Sequence, residues 1–327
     1  MPINTDYYVV PVGISTENSN NPKQASDVCS NNLVRNPETD ELVGKSRKKL
    51  SFKEMLTSSL KKSIQKHEIE KLGEKYADLI TRLPEVQKTF QTVFMRDDLT
   101  EHDTLNILQE YHKTELIKIK GTPEEYASAL FNLAVKNYGL EHAGIKLEFE
   151  PPNNSKAAGG WTANMGTVTC KSNKSADEYF TIIHHELRHA KQTQAVVENS
   201  SDEEYKDYFK RLCYRCAKND GHVKNINSYE EFEQRILTPD FLKIVMKPSK
   251  KLARKNPQIT EETKEFAMRM LEAEKNYTDC DTDMAAYWNA DNEKDARFAE
   301  IEMVKLFGIN KSRINYYNDM DKKYLIN

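Results

Sequence analysis

Several things are missing from this 327-residue sequence, and each absence removes a class of function. No apolar run approaches the roughly 18 residues that a membrane-spanning helix needs, so stable membrane insertion is not expected. Neither sign of charge dominates: 51 acidic residues face 48 basic ones, for a formal net charge of −3. Such a chain has no overall attraction for nucleic acid or for an anionic membrane. The five cysteines (Cys29, Cys170, Cys213, Cys216 and Cys280) are odd in number and widely scattered. That pattern argues against a disulfide framework and for a reducing compartment. The opening MPINTDYYVVPVGIS lacks the basic n-region and long apolar h-region of a secretory signal, so a cytoplasmic location is expected.

What remains is a polar chain, 38% hydrophobic and 30% charged, able to bury a core of modest size. Residues 1–44 are rich in Asn, Ser, Thr and Pro and read as weakly ordered, with one strand candidate at Tyr7–Val12. A helical region follows over 45–140. Phe52, Met55, Leu56, Leu60 and Ile64 form an apolar stripe, with Lys53, Lys61, Lys62 and Lys66 around it. This reads as a solvated face over a core contact rather than as a membrane-surface helix. Further helices are predicted at Pro84–Arg96, Leu99–Ile117 and Thr122–Tyr138.

At Ile145 the texture changes. IKLEFEP alternates as a half-buried strand does, and WTANMG with TVTC reads as a turn leading into a second strand. Beyond residue 198, helices are predicted at Glu203–Ala217, Tyr229–Ile236, Thr260–Asn276 and Met284–Leu306, with Lys243–Pro257 as an exposed connector. The fold class is therefore α+β, predominantly helical, with a third region over 141–327 that opens on the strands and contains a helical insertion at about 200–280. Cys213 and Cys216 form a C-x-x-C with His222 nearby. Without a second C-x-x-C or a βαβ frame, they read as two thiols on a helix rather than as a zinc knuckle or redox pair.

The chemistry concentrates in TIIHHELRHAKQ, residues 181–192. Ser175-Ala-Asp-Glu178 is a capping box before an apolar-periodic run, so a helix should start near Ala176 and continue toward Val197. Phe180, Ile183, Leu187 and Ala190 then share the stripe that packs inward. His185 and His189 stand one turn apart on one face, where two imidazoles can reach one metal ion. Glu186 lies about 100° around the helix, poorly placed as a third ligand but within reach of a water at that ion. His184 is off the shared face and reads as a packing residue or a support behind a ligand, rather than as a ligand itself.

His185-Glu186-Leu187-Arg188-His189 resembles the H-E-x-x-H helix of the zincin metallopeptidases, and the strands before it resemble their small sheet. The resemblance implies Zn2+ as cofactor, Glu186 as general base and an edge strand, TVTC or WTAN, that holds an extended substrate. The metzincin continuation is absent, because Gln192 and Ala195 occupy its Gly and His positions. The gluzincin pattern takes its third ligand from a glutamate on a later helix. YWNADNEKDARFAE, residues 287–300, is similar to that helix, with Glu293 as ligand, Ala296 allowing close approach, and Phe298 and Ala299 adding apolar contacts. His222 is the alternative ligand. Tyr287 or Tyr277 would donate to the substrate carbonyl, and Arg188 and Arg297 would orient the ligating carboxylates.

The implied function is a zinc-dependent metalloendopeptidase acting on a protein or peptide. Two other readings stand beside it: a catalytically inactive zincin-like binding module, and a helical interaction protein with a chance motif. The Asn/Ser-rich N-terminus suits a bacterial effector delivered into a host cell, and suits a phage or plasmid peptidase equally.

Overall fold

The computed structural model describes residues 52–152, 157–219, 226, 228–278 and 280–325. The segment 1–44, the strand candidate Tyr7–Val12 and His222 lie outside the described residues, as does the side chain of Cys216. Residues Leu56–Asn327 form one compact unit. The chain is α+β and predominantly helical. Four helices come first: α1 (Phe52–Thr81), α2 (Leu83–Phe94), α3 (Glu101–Lys120) and α4 (Pro123–Asn137). Three strands follow: β1 (Lys146–Glu150), β2 (Gly159–Thr162) and β3 (Thr167–Lys171). Next come α5 (Ala176–Asn199), α6 (Asp202–Asn219), α7 (Tyr229–Arg235), α8 (Pro239–Val245), α9 (Lys247–Lys250) and α10 (Glu261–Lys275). The last three helices are α11 (Met284–Asn289), α12 (Asp291–Phe307) and α13 (Lys311–Tyr324).

The starts of these helices are written in local side-chain chemistry. Thr100 with Asp103, Thr122 with Glu125, and Ser175 with Glu178 are reciprocal capping boxes at the heads of α3, α4 and α5. Each satisfies backbone N–H groups that have no partner within the helix. One apolar cluster then joins α1–α4, the sheet, α5 and α12, running from Leu72 to Ile309. Its centre is aromatic: Phe90, Tyr111, Phe180 and Phe307 stack or tilt on one another. A second cluster, around Tyr205, Phe209, Phe232 and Met270, joins the segment between α5 and α11 to Val196 of α5 and to Ala163 just after β2.

The sheet has strand order β1-β3-β2, with β1 parallel and β2 antiparallel to β3. TVTC is therefore the central strand, with both its edges paired, and it cannot take a further strand. Among the described residues, the unpaired sheet edge next to α5 belongs to β2. Lys171 donates its N–H to the Ala158 carbonyl at 3.0 Å. In that register Gly159 and Trp161 form non-hydrogen-bonded pairs with β3, so their main-chain groups point to the outer edge. Gly159 also has to be glycine. A Cβ there would stand 2.5 Å from Ile182 Cγ2, so only a bare backbone lets β2 lie this close to α5.

Several expectations need correction. Leu60 and Ile64 are exposed, the side chains of Phe52, Met55 and Leu56 lie outside the described ones, and the buried apolar side chains described on α1 are Leu72, Tyr76 and Leu79. The stretch Lys243–Pro257 is not an exposed connector: Met246, Ser249 and Leu252, at three-residue intervals, are buried while the lysines between them face out. The helix expected over Met284–Leu306 breaks at Ala290, which is extended. Arg297 Nη2 takes the Trp288 carbonyl, which would otherwise accept from the backbone of a continuous helix. Phe298 is 45% exposed and adds no core contact. Helix α13 was not foreseen.

Candidate metal centre

Two helices build the centre. α5 presents His185 and His189, and α12 crosses it with Glu293 in its first turn. Ala296 and Ala299, both fully buried, let α12 approach closely. The His185, His189 and Glu293 side chains are 12%, 14% and 4% exposed. One potential donor atom from each lies within 4.8 Å of the others. The separations are 3.3 Å for His185 Nε2 to Glu293 Oε2, 3.3 Å between the two Nε2 atoms, and 3.4 Å for His189 Nε2 to Glu293 Oε1.

These spacings are informative. Donors about 2.05 Å from a tetrahedral ion stand about 3.3 Å from one another, the edge of the tetrahedron. As hydrogen bonds the same distances lie at the long end of the usual range. Two imidazoles and one carboxylate form a donor set suited to zinc. Geometry and chemistry both fit a divalent ion held by this trio.

Each of the three groups is held from behind. His185 Nδ1 faces Glu300 Oε2 at 3.2 Å. Glu300 in turn accepts from Arg313 Nε at 2.9 Å and from the Tyr317 hydroxyl. His189 Nδ1 faces Gln192 Oε1 at 2.8 Å. Glu293 Oε1 accepts from the Tyr277 hydroxyl at 2.9 Å. Such partners fix ring orientation and direct Nε2 inward. Residue spacing alone does not assign the Glu300, Gln192, Arg313 and Tyr317 roles. Glu300 carried a signal, since it follows Glu293 by two helical turns on one face. Arg313 and Tyr317 carried none, because they sit on the unforeseen α13.

The electrostatics follow from burial set against these carboxylates. Burial opposes a proton on His185, but hydrogen bonds to Glu293 and Glu300 outweigh it and push its pKa up to about 10. His189 is raised for the same reason, through Glu293. Burial alone would raise Glu293, but the two imidazoles hold it well below the usual carboxylate range. A site that draws protons onto two buried imidazoles has excess negative potential, and the same potential attracts a metal cation.

Glu186 is 7% exposed, and burial raises its pKa against the opposing pull of His185 and His189. It sits beside β2: a Cβ on Gly159 would lie 3.7 Å from Glu186 Cγ. Tyr277 and Tyr287 face Glu293 together, with their rings edge-on and their centroids 6.2 Å apart. His184 is fully buried among Phe94, Tyr111, Tyr138 and Phe180, away from the trio.

The arginines do not orient the ligating carboxylate. Arg188 forms a two-point pair with Asp295, at 2.7 Å for each bond. Arg297 lies over the Trp288 ring, 4.0 Å from its centroid, and bonds the Trp288 carbonyl. Both contacts depend on where α12 docks, which side-chain spacing does not report.

No family model matches the chain, and no curated protein or solved structure matches it. None of the described helices is long and apolar enough to cross a membrane.

Proposed function

We propose that the chain is a zinc-dependent metallopeptidase of the gluzincin type that cleaves extended protein or peptide substrates. The observation that carries this reading is the His185–His189–Glu293 trio at tetrahedral spacing, with Glu186 next to it on the same helix. A divalent ion held there would polarise a carbonyl and acidify a water.

The remaining chemistry belongs to the chain itself. Glu186, with its raised pKa, takes the proton of the attacking water and returns it to the leaving amine. Tyr277 is engaged with Glu293 Oε1 and holds that carboxylate. Tyr287, which also faces Glu293, is the donor to the carbonyl oxygen as charge develops there. The outward main-chain groups of Gly159 and Trp161 pair with the substrate backbone as an added strand.

Charge balance supports an amide as the substrate. The surrounding buried carboxylates are neutralised by arginine: Glu300 by Arg313 at 2.9 Å, Asp295 by Arg188 at 2.7 Å, and Glu274 by Arg215 at 3.2 Å. Among the described residues, Glu186 and Glu293 have no Lys or Arg partner. Their two negative charges match the two positive charges of a divalent ion. A peptide bond enters uncharged and preserves that balance. When the carbonyl oxygen gains charge, Glu186 has lost its own by taking the proton. A phosphate ester would bring uncompensated charge into a buried site, at a large cost.

The test combines metal analysis with N-terminus profiling of a cell lysate treated with wild type or with Glu186→Gln. The expected result is stoichiometric zinc in both proteins and new N-termini with wild type alone. Activity of Glu186→Gln above about a thousandth of wild type would remove Glu186 as the base. Bound zinc without new N-termini would leave a binding module, and absence of zinc from the purified protein would overturn the reading.

A further inference from the structure

His185 is backed by a carboxylate, but His189 is backed by an amide, and which end of that amide faces the ring can be worked out. Gln192 Nε2 donates to the Asn292 carbonyl and to Asp295 Oδ2, both at 2.8 Å. Neither acceptor carries a proton, so only the NH2 end of the amide fits there. Oε1, which can only accept, therefore faces His189 Nδ1 at 2.8 Å. The Nδ1 position must carry the hydrogen, which leaves the Nε2 lone pair directed toward His185 and Glu293, at 3.3 and 3.4 Å.

The line of contacts continues outward. Asp295 Oδ2 and Oδ1 accept from Arg188 Nε and Nη2 at 2.7 Å each. Arg188 Nη1 donates to the Thr92 and Val93 carbonyls at 3.2 and 2.8 Å, in the last turn of α2. Gln192 and Arg188 are 3% and 5% exposed, so water does not compete for these bonds.

We infer that Gln192 is a positioning residue for the metal ligand His189, and that the line Val93–Arg188–Asp295–Gln192–His189 couples the end of α2 to the metal centre. This rests on the metal reading proposed above. A glutamine suits the post better than a carboxylate would. It must accept on one side and donate on the other, and its donor side faces an aspartate and a carbonyl. The coupling also runs in reverse: an ion that fixes His189 tightens the last turn of α2.

The experiment measures Zn2+ affinity by chelator competition in wild type, Gln192→Met and Gln192→Glu. Amide exchange over residues 92–96 is followed with and without Zn2+, and melting of the metal-free proteins reports folding. Gln192→Met removes acceptor and donors at nearly constant size, and is expected to weaken Zn2+ binding about 10–100-fold. It should also abolish the Zn2+-induced slowing of exchange at the end of α2. Gln192→Glu keeps the acceptor facing His189 and should hold Zn2+ more tightly than Gln192→Met. Zn2+ affinity of a folded Gln192→Met within about twofold of wild type would overturn the inference. If Gln192→Met does not fold, a folded Gln192→Glu protein that binds Zn2+ and still slows exchange at the end of α2 to the wild-type extent overturns it instead, because a carboxylate cannot donate to Asp295. Failure of wild type to bind Zn2+ would sink the metal reading, and this inference with it.

Discussion

Helix α5 is buried along nearly its whole length, and its two faces handle buried polar groups in opposite ways. The face toward α3 and α4 carries His184 and Lys191. His184 meets the Tyr111 hydroxyl at 3.2 Å, and Lys191 Nζ donates to the Tyr138 carbonyl at 3.0 Å and to Gln194 Oε1 at 2.8 Å. Burial lowers His184 to about 3 and Lys191 to about 7. The face toward α12 carries His185, one residue along the chain and similarly enclosed, yet its pKa is pushed up to about 10. The difference comes from α12, which sets Glu293 and Glu300 against one histidine and only distant charge against the other. Burial by itself makes a polar group neutral. A cation site arises only where buried carboxylates exceed the cations supplied by the chain.

The largest expected effect comes from breaking an arginine–carboxylate pair on the charged face. Arg188→Met would leave Asp295 buried without its partner; their side chains are only 6% and 12% exposed. The expected loss of stability is about 3–5 kcal/mol in urea unfolding of the metal-free protein. A loss below about 1 kcal/mol would mean that this pair behaves like a surface one.

Next in size is Glu293→Ala, which removes an inner carboxylate and makes His185 more like His184. Zinc affinity should fall by about 100-fold, or about 2.7 kcal/mol. The His185 pKa in the metal-free protein should drop, as read by NMR titration. Unchanged metal content in the purified variant would take Glu293 out of the centre. Glu300→Gln tests the outer layer. It keeps an acceptor behind His185 but removes the charge, so a loss nearer 10-fold is expected. A loss equal to that of Glu293→Ala would erase the distinction between ligand and support.

The charged face was legible in the sequence where local geometry decides. The capping box at Ser175 fixed the phase of α5, and that phase separated His185 and His189 from His184 before any contact was known. Glu293 stood out because Ala296 follows it by one turn, a pattern that lets two helices meet. Roles that depend on docking were not legible. Spacing makes Arg188 a partner of the ligating carboxylate, yet it pairs with Asp295 once α12 is in place. The same holds for Gln192, read only as the residue that interrupts a metzincin pattern. The break at Ala290 carries no strong helix-stopping residue, whereas Gly308 and Asn310 do mark the end of α12 and the start of α13.

The neutral face gives a graded effect, small per pH unit, with a sign that can be worked out. Lys191 has a folded pKa of about 7, set by burial, against 10.5 when free. Between those values the unfolded chain binds more protons than the folded one, so stability rises with pH across that window. Below about pH 7 the full cost of burying the ammonium is present; toward pH 10 it disappears. Replacing Lys191 with Met removes this titration and leaves other groups common to both proteins. The stability of wild type relative to Lys191→Met should therefore increase on the order of 1 kcal/mol per pH unit between about pH 7.5 and 9.5. Urea unfolding of both metal-free proteins at three pH values in that range measures it. Parallel curves would mean that Lys191 stays charged in the fold. The neutral face would then hold a buried cation without a carboxylate, and the contrast between the two sides of α5 would fail.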